Sequence, residues 1–307
     1  MRLYTLTLNP AYDVHAYIDT FAPYHENLAE LQSKIAGGKG VNISRALKNA
    51  SVEHTAIVVL GTDNGAEFRA ELESCGVTCI YLQQPGRIRE NLTFHCGNAP
   101  ETRISFSGFR VDKDLLDRVE SQIEIDDDTY ITYTGRNPSG ISTDEAIAFL
   151  GRLQDKGAKI ILDSKSFDLD QILAVRPWLI KPNQEEISEL FDCEITSFEE
   201  CLEKANIFSA NGVENVMVSL GEKGALLISN GKTYIATPPA IDAISTIGAG
   251  DSSIAGFLEA TYHGLAPELR LATAVSFGSA ACMTEGTEPP VYSQIQEILK
   301  NIKLHAV

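Results

Sequence analysis

From Leu3 to Leu82, apolar runs of strand length alternate with stretches of helical period. The runs are Leu3 to Leu8, Thr55 to Leu60 and Thr78 to Leu82. The helical stretches are Val41 to Leu47, and Asn64 to Cys75 stopped by Gly76. A β-α-β-α-β order buries apolar strands only where helices cover the sheet, which predicts an α/β fold. Strand patterns return at Thr129 to Thr134, Lys159 to Leu162, Trp178 to Ile180, Asn215 to Leu220 and Ala225 to Ser229. Ser142-x-x-Glu145 is a capping box opening a helix to Lys156, and Ser197-x-x-Glu200 opens one ending near Asn211-Gly212. Asn183 caps another helix, and Asn230-Gly231 is a hairpin turn. Further helices are predicted at Asp112 to Gln122, Pro267 to Glu285 and Tyr292 to Ile302.

Two segments break this rhythm. Val14 to Lys34 is polar, with brief alternation. Leu92 to Cys96 and Arg103 to Phe106 read as a hairpin around Gly97-Asn98-Ala99-Pro100. Together they predict a small β lid of residues 11–35 and 88–109, leaving 1–10, 36–87 and 110–307 to the core.

The chemistry concentrates where a loop becomes a helix, at Ser245-Thr246-Ile247-Gly248-Ala249-Gly250-Asp251-Ser252. The first N–H groups of a helix lack internal partners, and the helix dipole favours negative charge there. Glycines let an anion approach the backbone. Asp251 would stand beside that anion, an arrangement suited to moving a phosphoryl group onto a hydroxyl. Read locally, Gly-x-Gly-Asp alone favours a glycine turn with an Asp in the first helical turn, a common arrangement. A carboxylate at a helix start is expected to be acidic, hence a weak base.

The Ser-Thr-Ile-Gly-Ala-Gly-Asp-Ser word resembles the C-terminal signature of the ribokinase/phosphofructokinase-B family of sugar kinases. Gly37-Gly38-Lys39-Gly40-Val41-Asn42 resembles that family's N-terminal signature. The resemblance extends over essentially the whole chain. It implies a ribokinase-like three-layer α/β domain with a mostly parallel central sheet and a small β-sheet lid. It also implies an ATP-dependent phosphotransferase using Mg²⁺, with Asp251 as catalytic acceptor and Gly248, Ala249 and Gly250 holding the transferring group.

By the same resemblance, Asp13, Gly38, Lys39 and Asn42 bind the sugar, and Arg89 binds its phosphate with Lys39, Ser107 and Arg136 nearby. Lys181, Asn183, Ser219, Gly221, Gly224 and Gly250 border the nucleotide. Asn183 and Glu186 organise Mg²⁺ through water. Ser107-Gly108-Phe109 resembles the family branch acting on fructose 1-phosphate, whose C6 hydroxyl would be phosphorylated to give fructose 1,6-bisphosphate. Tagatose 6-phosphate is the alternative substrate, and a non-catalytic sugar-phosphate-binding regulator the alternative class. The resemblance further implies a homodimer through the lid.

Local chemistry leaves several of these residues open. An ionised Asp13 suits hydroxyl donors, yet an Asp after a strand is also a turn former. Lys39 reads as a substrate contact or a solvated loop lysine. Ser107 reads as a phosphate donor or a strand-end serine. Asn183 and Glu186 read as a helix cap and a dipole-favoured first-turn acid. Ser219 to Gly224 reads as a tight turn. Arg136 stands where the family usually has Ser; it could add a cation to the phosphate subsite, alter substrate choice or point outward. Lys39 lies between glycines with no Ser or Thr where a Walker loop needs one, and no dinucleotide fingerprint is present.

A net charge of −17 disfavours nucleic acid and anionic membranes as partners, so any basic residue in a glycine or turn context becomes informative. The six cysteines form no Cys-x-x-Cys pair and read as reduced thiols, and the histidines lack zinc-ligand spacing. Met1 to Leu6 leads straight into a strand pattern, and no apolar run reaches membrane length. The expectation is a cytoplasmic protein.

Overall fold

The computed structural model describes residues 1–97 and 102–306. Asn98, Ala99 and Pro100 of the expected hairpin turn lie outside them. The strands and helices follow in chain order. They begin β1 Arg2–Thr7, β2 Ala11–Tyr17, β3 Glu30–Gly37, α1 Lys39–Asn49, β4 Thr55–Gly61, α2 Gly65–Ser74 and β5 Cys79–Gln84. Then come β6 Arg89–His95, β7 Thr102–Ser105, α3 Leu115–Glu120, β8 Thr129–Thr134, α4 Thr143–Asp155, β9 Lys159–Asp163, α5 Leu169–Val175 and β10 Leu179–Ile180. The chain continues with α6 Gln184–Phe191, α7 Phe198–Ala210, β11 Asn215–Ser219, β12 Ala225–Ser229 and β13 Lys232–Thr237. It closes with α8 Ala249–Tyr262, α9 Pro267–Ala281, α10 Tyr292–Lys300 and β14 Lys303–Ala306.

Ten strands form the main sheet in the order β14-β13-β12-β11-β10-β9-β8-β1-β4-β5. Pairing is parallel from β5 to β11 and antiparallel from β11 to β14. Strand alternation sends successive side chains into two separate cores. Ile160, Leu162, Val216 and Val218 pack into one core with Phe68, Phe149 and Phe208 from the helices. Ile161, Leu179 and Met217 pack into the other with Ile43, Leu47, Phe257 and Phe277. Helices therefore cover both faces, giving the expected three layers. A second sheet, β3-β2-β6-β7, sits apart from the first. Its β2 and β6 are parallel neighbours, and β3 and β7 flank them antiparallel.

Several boundaries differ from expectation. The last helix ends at Lys300, and residues 303–306 turn back as an antiparallel edge strand on β13. Helix α3 covers only Leu115–Glu120. Helix α5 was not foreseen, although Asp168 and Gln171 form a capping box at its start. The boxes at Ser142 and Ser197 close as expected, and the expected cap at Asn183 proves to be a box with Glu186 as well.

Candidate active site

The carboxyl ends of the parallel strands converge on one cavity of about 660 Å³. Thr7 closes β1, Thr134 closes β8, Asp163 closes β9, and Lys181 directly follows β10; all four line it. Open α/β sheets bind ligands at this edge because the strands end there and the following loops leave a crevice. Two glycine-headed helices, α1 and α8, point their N-termini into the same space, through Gly38 and Lys39 and through Gly248 and Gly250.

Gly248 caps α8 at φ 80°, a left-handed conformation that glycine adopts without a Cβ clash. The first closed intrahelical bond is Ser252 N–H to the Gly248 carbonyl at 2.9 Å. Ahead of it, Ala249 N–H reaches the Thr246 carbonyl only at 3.4 Å, and the Gly250 and Asp251 N–H groups find no backbone acceptor among the described residues. Bare amides at a helix start are an anion cradle. In α1 the first bond is Asn42 N–H to Gly38 O, so the preceding amides are equally uncommitted.

Asp251 is nearly buried, at 6% exposed, and lines the cavity. Its Oδ2 accepts from Asn42 Nδ2 at 2.8 Å, which ties the two helix starts together. Burial raises its pKa to about 6; repulsion from Asp163 adds to the rise, while Lys39, the Asn42 bond and Lys181 oppose it. The expectation of an acidic, weakly basic Asp251 is thus corrected, because loss of water around the carboxylate outweighs its helix position. Asp163 is buried too, but Lys181 and Lys39 pull its carboxyl below the usual range. Lys39 donates to Asp163 Oδ2 at 2.9 Å and, despite desolvation, is held protonated by Asp163 and Asp251. The pair of buried acids is therefore split into one firmly ionised and one poised near neutrality.

The opposite wall comes from the small sheet. Asp13 Oδ1 accepts from Asn91 Nδ2 at 2.9 Å and from Arg103 Nη2 at 3.0 Å. A Cβ on Gly37 would collide with Asp13 Oδ2, so glycine lets the carboxylate lie against the β3 backbone. Arg89 donates to Asn91 Oδ1 at 2.9 Å. Burial lowers the Arg89 pKa; Asp13 counters this, and the guanidiniums of Arg103 and Arg136 add to the fall. Arg89, Arg103, Arg136, Lys39, Lys165 and Lys181 all line the cavity against the carboxylates Asp13, Asp163, Glu186 and Asp251. In a chain of net charge −17 this local cationic excess marks an anion site. Five cavity-lining residues also carry a buried polar atom without a partner among the described residues: Thr7 Oγ1, Asn42 Oδ1, Arg89 Nε, Thr134 Oγ1 and Thr287 Oγ1. Each such atom costs about 1–3 kcal/mol unless water or a ligand satisfies it.

Of the residues singled out from sequence, Asp13, Gly38, Lys39, Asn42, Arg89, Arg136, Lys181, Asn183, Glu186, Gly248, Gly250 and Asp251 meet in this cavity. Ala249 does not line it and accepts a hydrogen bond from Ser253 Oγ. Ser107 is exposed and does not line it; β7 ends at Ser105, which does. Ser107 therefore stands beyond the strand end, the position its reading as an ordinary serine there describes. Ser219, Gly221 and Gly224 also lie outside the cavity, in a tight turn where Leu220 N–H bonds Gly224 O at 2.8 Å. That turn abuts Asn183 through the Ser219 N–H to Pro182 O bond at 3.0 Å. Asn183 and Glu186 form a reciprocal capping box through Asn183 Oδ1 and Glu186 Oε2. Glu186 Oε1 is left over, 3.8 Å from Lys165 Nζ.

Asp163, Arg103, Asn91, Lys165 and Thr287 were missed. A signal existed for Asp163, since a carboxylate closing a parallel strand sits where ligands bind. None existed for Arg103, whose bond to the far-off Asp13 only the folded sheet brings about.

Comparison with known proteins agrees with this geometry. The family model described as pfkB family carbohydrate kinase matches residues 7–293. The 1-phosphofructokinase of Escherichia coli (strain K12) is 32% identical over 283 residues, covering 90% of this chain and 89% of that protein. The 1-phosphofructokinase of Bacillus subtilis (strain 168) is 30% identical over 305 residues, covering 98% and 99%. The crystal structure of phosphofructokinase-2 from Escherichia coli in complex with substrates and products superposes with a TM-score of 0.91 at 27% identity, covering 98% of this chain and 99% of that one.

Proposed function

The chain belongs to the pfkB family of carbohydrate kinases and is a phosphotransferase, and from that premise we propose that it phosphorylates the C6 hydroxyl of fructose 1-phosphate. Sugar kinases of this family use ATP as co-substrate. The product would be fructose 1,6-bisphosphate. The observation that carries the reading is Asp251, a carboxylate of pKa about 6 beside the uncommitted amides of Gly250 and its own N–H.

In this reading the small sheet is a lid formed by residues 11–35 and 88–109. Asp13 and Asn42 Oδ1 take hydroxyl protons of the sugar as acceptors. The guanidiniums of Arg89, Arg103 and Arg136 take the C1 phosphate, which a planar fork suits better than a neutral hydroxyl. Asp251 Oδ1 has no donor among the described residues and is the atom that receives the C6 proton. The sugar oxygen then bonds the γ-phosphorus, and the γ-phosphorus bond to the β,γ-bridging oxygen breaks as ADP leaves. Gly250 and Asp251 amides, with Lys39 and Lys181, meet the charge on the equatorial oxygens.

The turn at Ser219 to Gly224 borders the nucleotide beyond Asn183. Among the described residues no three metal-ligating side chains cluster. Glu186 Oε1, outside the capping box and 3.8 Å from Lys165 Nζ, fits a Mg²⁺ ion that keeps most of its waters. Bound there, such an ion would neutralise phosphate charge. No helix among the described residues is long and apolar enough to cross a membrane. The lid carries the exposed apolar side chains Phe21, Leu31, Ile104 and Phe106, which support a homodimer through this sheet.

The test is a panel of phosphorylated hexoses assayed with MgATP. Fructose 1-phosphate should give the highest kcat/KM. A higher value for tagatose 6-phosphate would overturn the substrate, and sugar-independent ADP release alone would overturn the reaction.

A further inference from the structure

The three strand ends that join the small sheet to the rest of the protein lie abreast: Ala11 pairs with both Gly37 and Arg89. One helix touches the chain beside each of them. Asn64, at the cap of α2, accepts from Ile88 N–H through Oδ1 at 2.8 Å and donates to Ile88 O through Nδ2 at 3.1 Å. The Asn64 carbonyl accepts from Tyr12 OH at 2.7 Å. Phe68, fully buried, meets the Tyr12 ring edge-on at 5.3 Å. Glu71 Oε2 accepts from Ala36 N–H at 2.8 Å, while its Oε1 pairs with the buried Arg45 of α1. Glu67 lies 3.6 Å from Lys34 Nζ, which also stands 4.3 Å over the Tyr12 ring.

Positions 64, 67, 68 and 71 share one helical face. Three of the residues they hold are one or two places from a group in the cavity: Tyr12 from Asp13, Ile88 from Arg89, Ala36 from Gly38. Among the described residues no α2 residue lines the cavity itself.

We propose that this α2 face is the seat of the small sheet, and that Asn64, Phe68 and Glu71 are positioning residues setting how closely the sugar-binding groups stand over the cavity. The proposal rests on the reading of that sheet as the sugar-side lid. The nucleotide-side groups Lys181, Asn183 and Glu186 belong to the main sheet and α6, so the seat governs sugar affinity and leaves nucleotide affinity alone.

The experiment compares Asn64→Ala, Asn64→Asp and Phe68→Leu with the parent enzyme. Asn64→Ala should raise KM for fructose 1-phosphate roughly tenfold, equivalent to about 1.4 kcal/mol, with KM for ATP within twofold. Asn64→Asp keeps the acceptor for Ile88 N–H and should recover part of the loss. Phe68→Leu leaves no polar group unpaired, shifts the sugar KM in the same direction by a few-fold, and decides alone if Asn64→Ala does not fold. An unchanged sugar KM, or a parallel rise in both KM values, overturns the proposal. Hydrogen–deuterium exchange gives a readout independent of substrate: amides of β2 and β6 should exchange faster in the variants while those of β8 and β9 do not. Failure of the parent enzyme on fructose 1-phosphate would count against the proposed substrate, whereas unchanged exchange in β2 and β6 would count against the seat.

Discussion

Replacing Asp251 with Asn should remove activity and raise stability together. The carboxyl's pKa stands at about 6 in the folded protein against a reference of 3.8. At ~1.36 kcal/mol per unit, the ionised group costs the native state about 3 kcal/mol at neutral pH. Between those two values the folded protein binds the extra proton, so stability falls as pH rises through the window and levels off above it. An amide has no charge to desolvate, and its oxygen can still accept from Asn42 Nδ2. With ~2.1 cal/mol/K of unfolding entropy per residue over 307 residues, about 3 kcal/mol corresponds to roughly 5 °C in Tm. Thermal melts of both proteins at pH 7.5 and pH 5 check this: the gain should shrink to about half at pH 5, where the native carboxyl is mostly protonated. Turnover should fall by about 10²–10⁴, the usual contribution of a positioned base. A variant that melts lower by the same margin at both pH values refutes the burial argument, and one retaining near-normal turnover removes Asp251 from the proton transfer.

Three further outcomes follow from the geometry. For the parent enzyme, kcat/KM for the sugar phosphate should rise with pH through about 6 and then flatten, because the ionised Asp251 is the working form and kcat/KM reports groups of the free enzyme; a profile flat from pH 5 to 8 contradicts this. Gly250→Ala would set a Cβ 3.0 Å from Lys181 Nζ, so kcat should drop at least tenfold (about 1.4 kcal/mol) while the melt stays within a few degrees; unaltered kcat would show that the Lys181 ammonium does not matter there. Arg103→Ala removes both the 3.0 Å partner of Asp13 and one guanidinium of the proposed phosphate site, and should raise KM for the sugar phosphate by about 10–100-fold, the scale of a lost charge-assisted bond of ~1.5–3 kcal/mol, as steady-state kinetics would show.

Much of this molecule was legible because its signals are local. Asn183 with Glu186, Ser142 with Glu145, and Ser197 with Glu200 each close a bond pattern within four residues, and each helix starts where its box stands. The alternation of strand and helix fixed the layers, since apolar strands must be covered on both faces. The two glycine signatures were readable for the same reason: a helix start and its bare amides are properties of a short word. Strand β14 and the site membership of Arg103 were not readable, because they depend on which distant segments come to lie side by side, whereas Asp163 closes a strand and was overlooked rather than hidden. Asp251 shows the division in one residue. Its sequence position marked it as a carboxylate at a helix start, but only the folded chain excludes water around it and brings Asp163 near. Solvation and long-range charge are properties of the assembled interior, and they decide how strongly that carboxylate holds a proton.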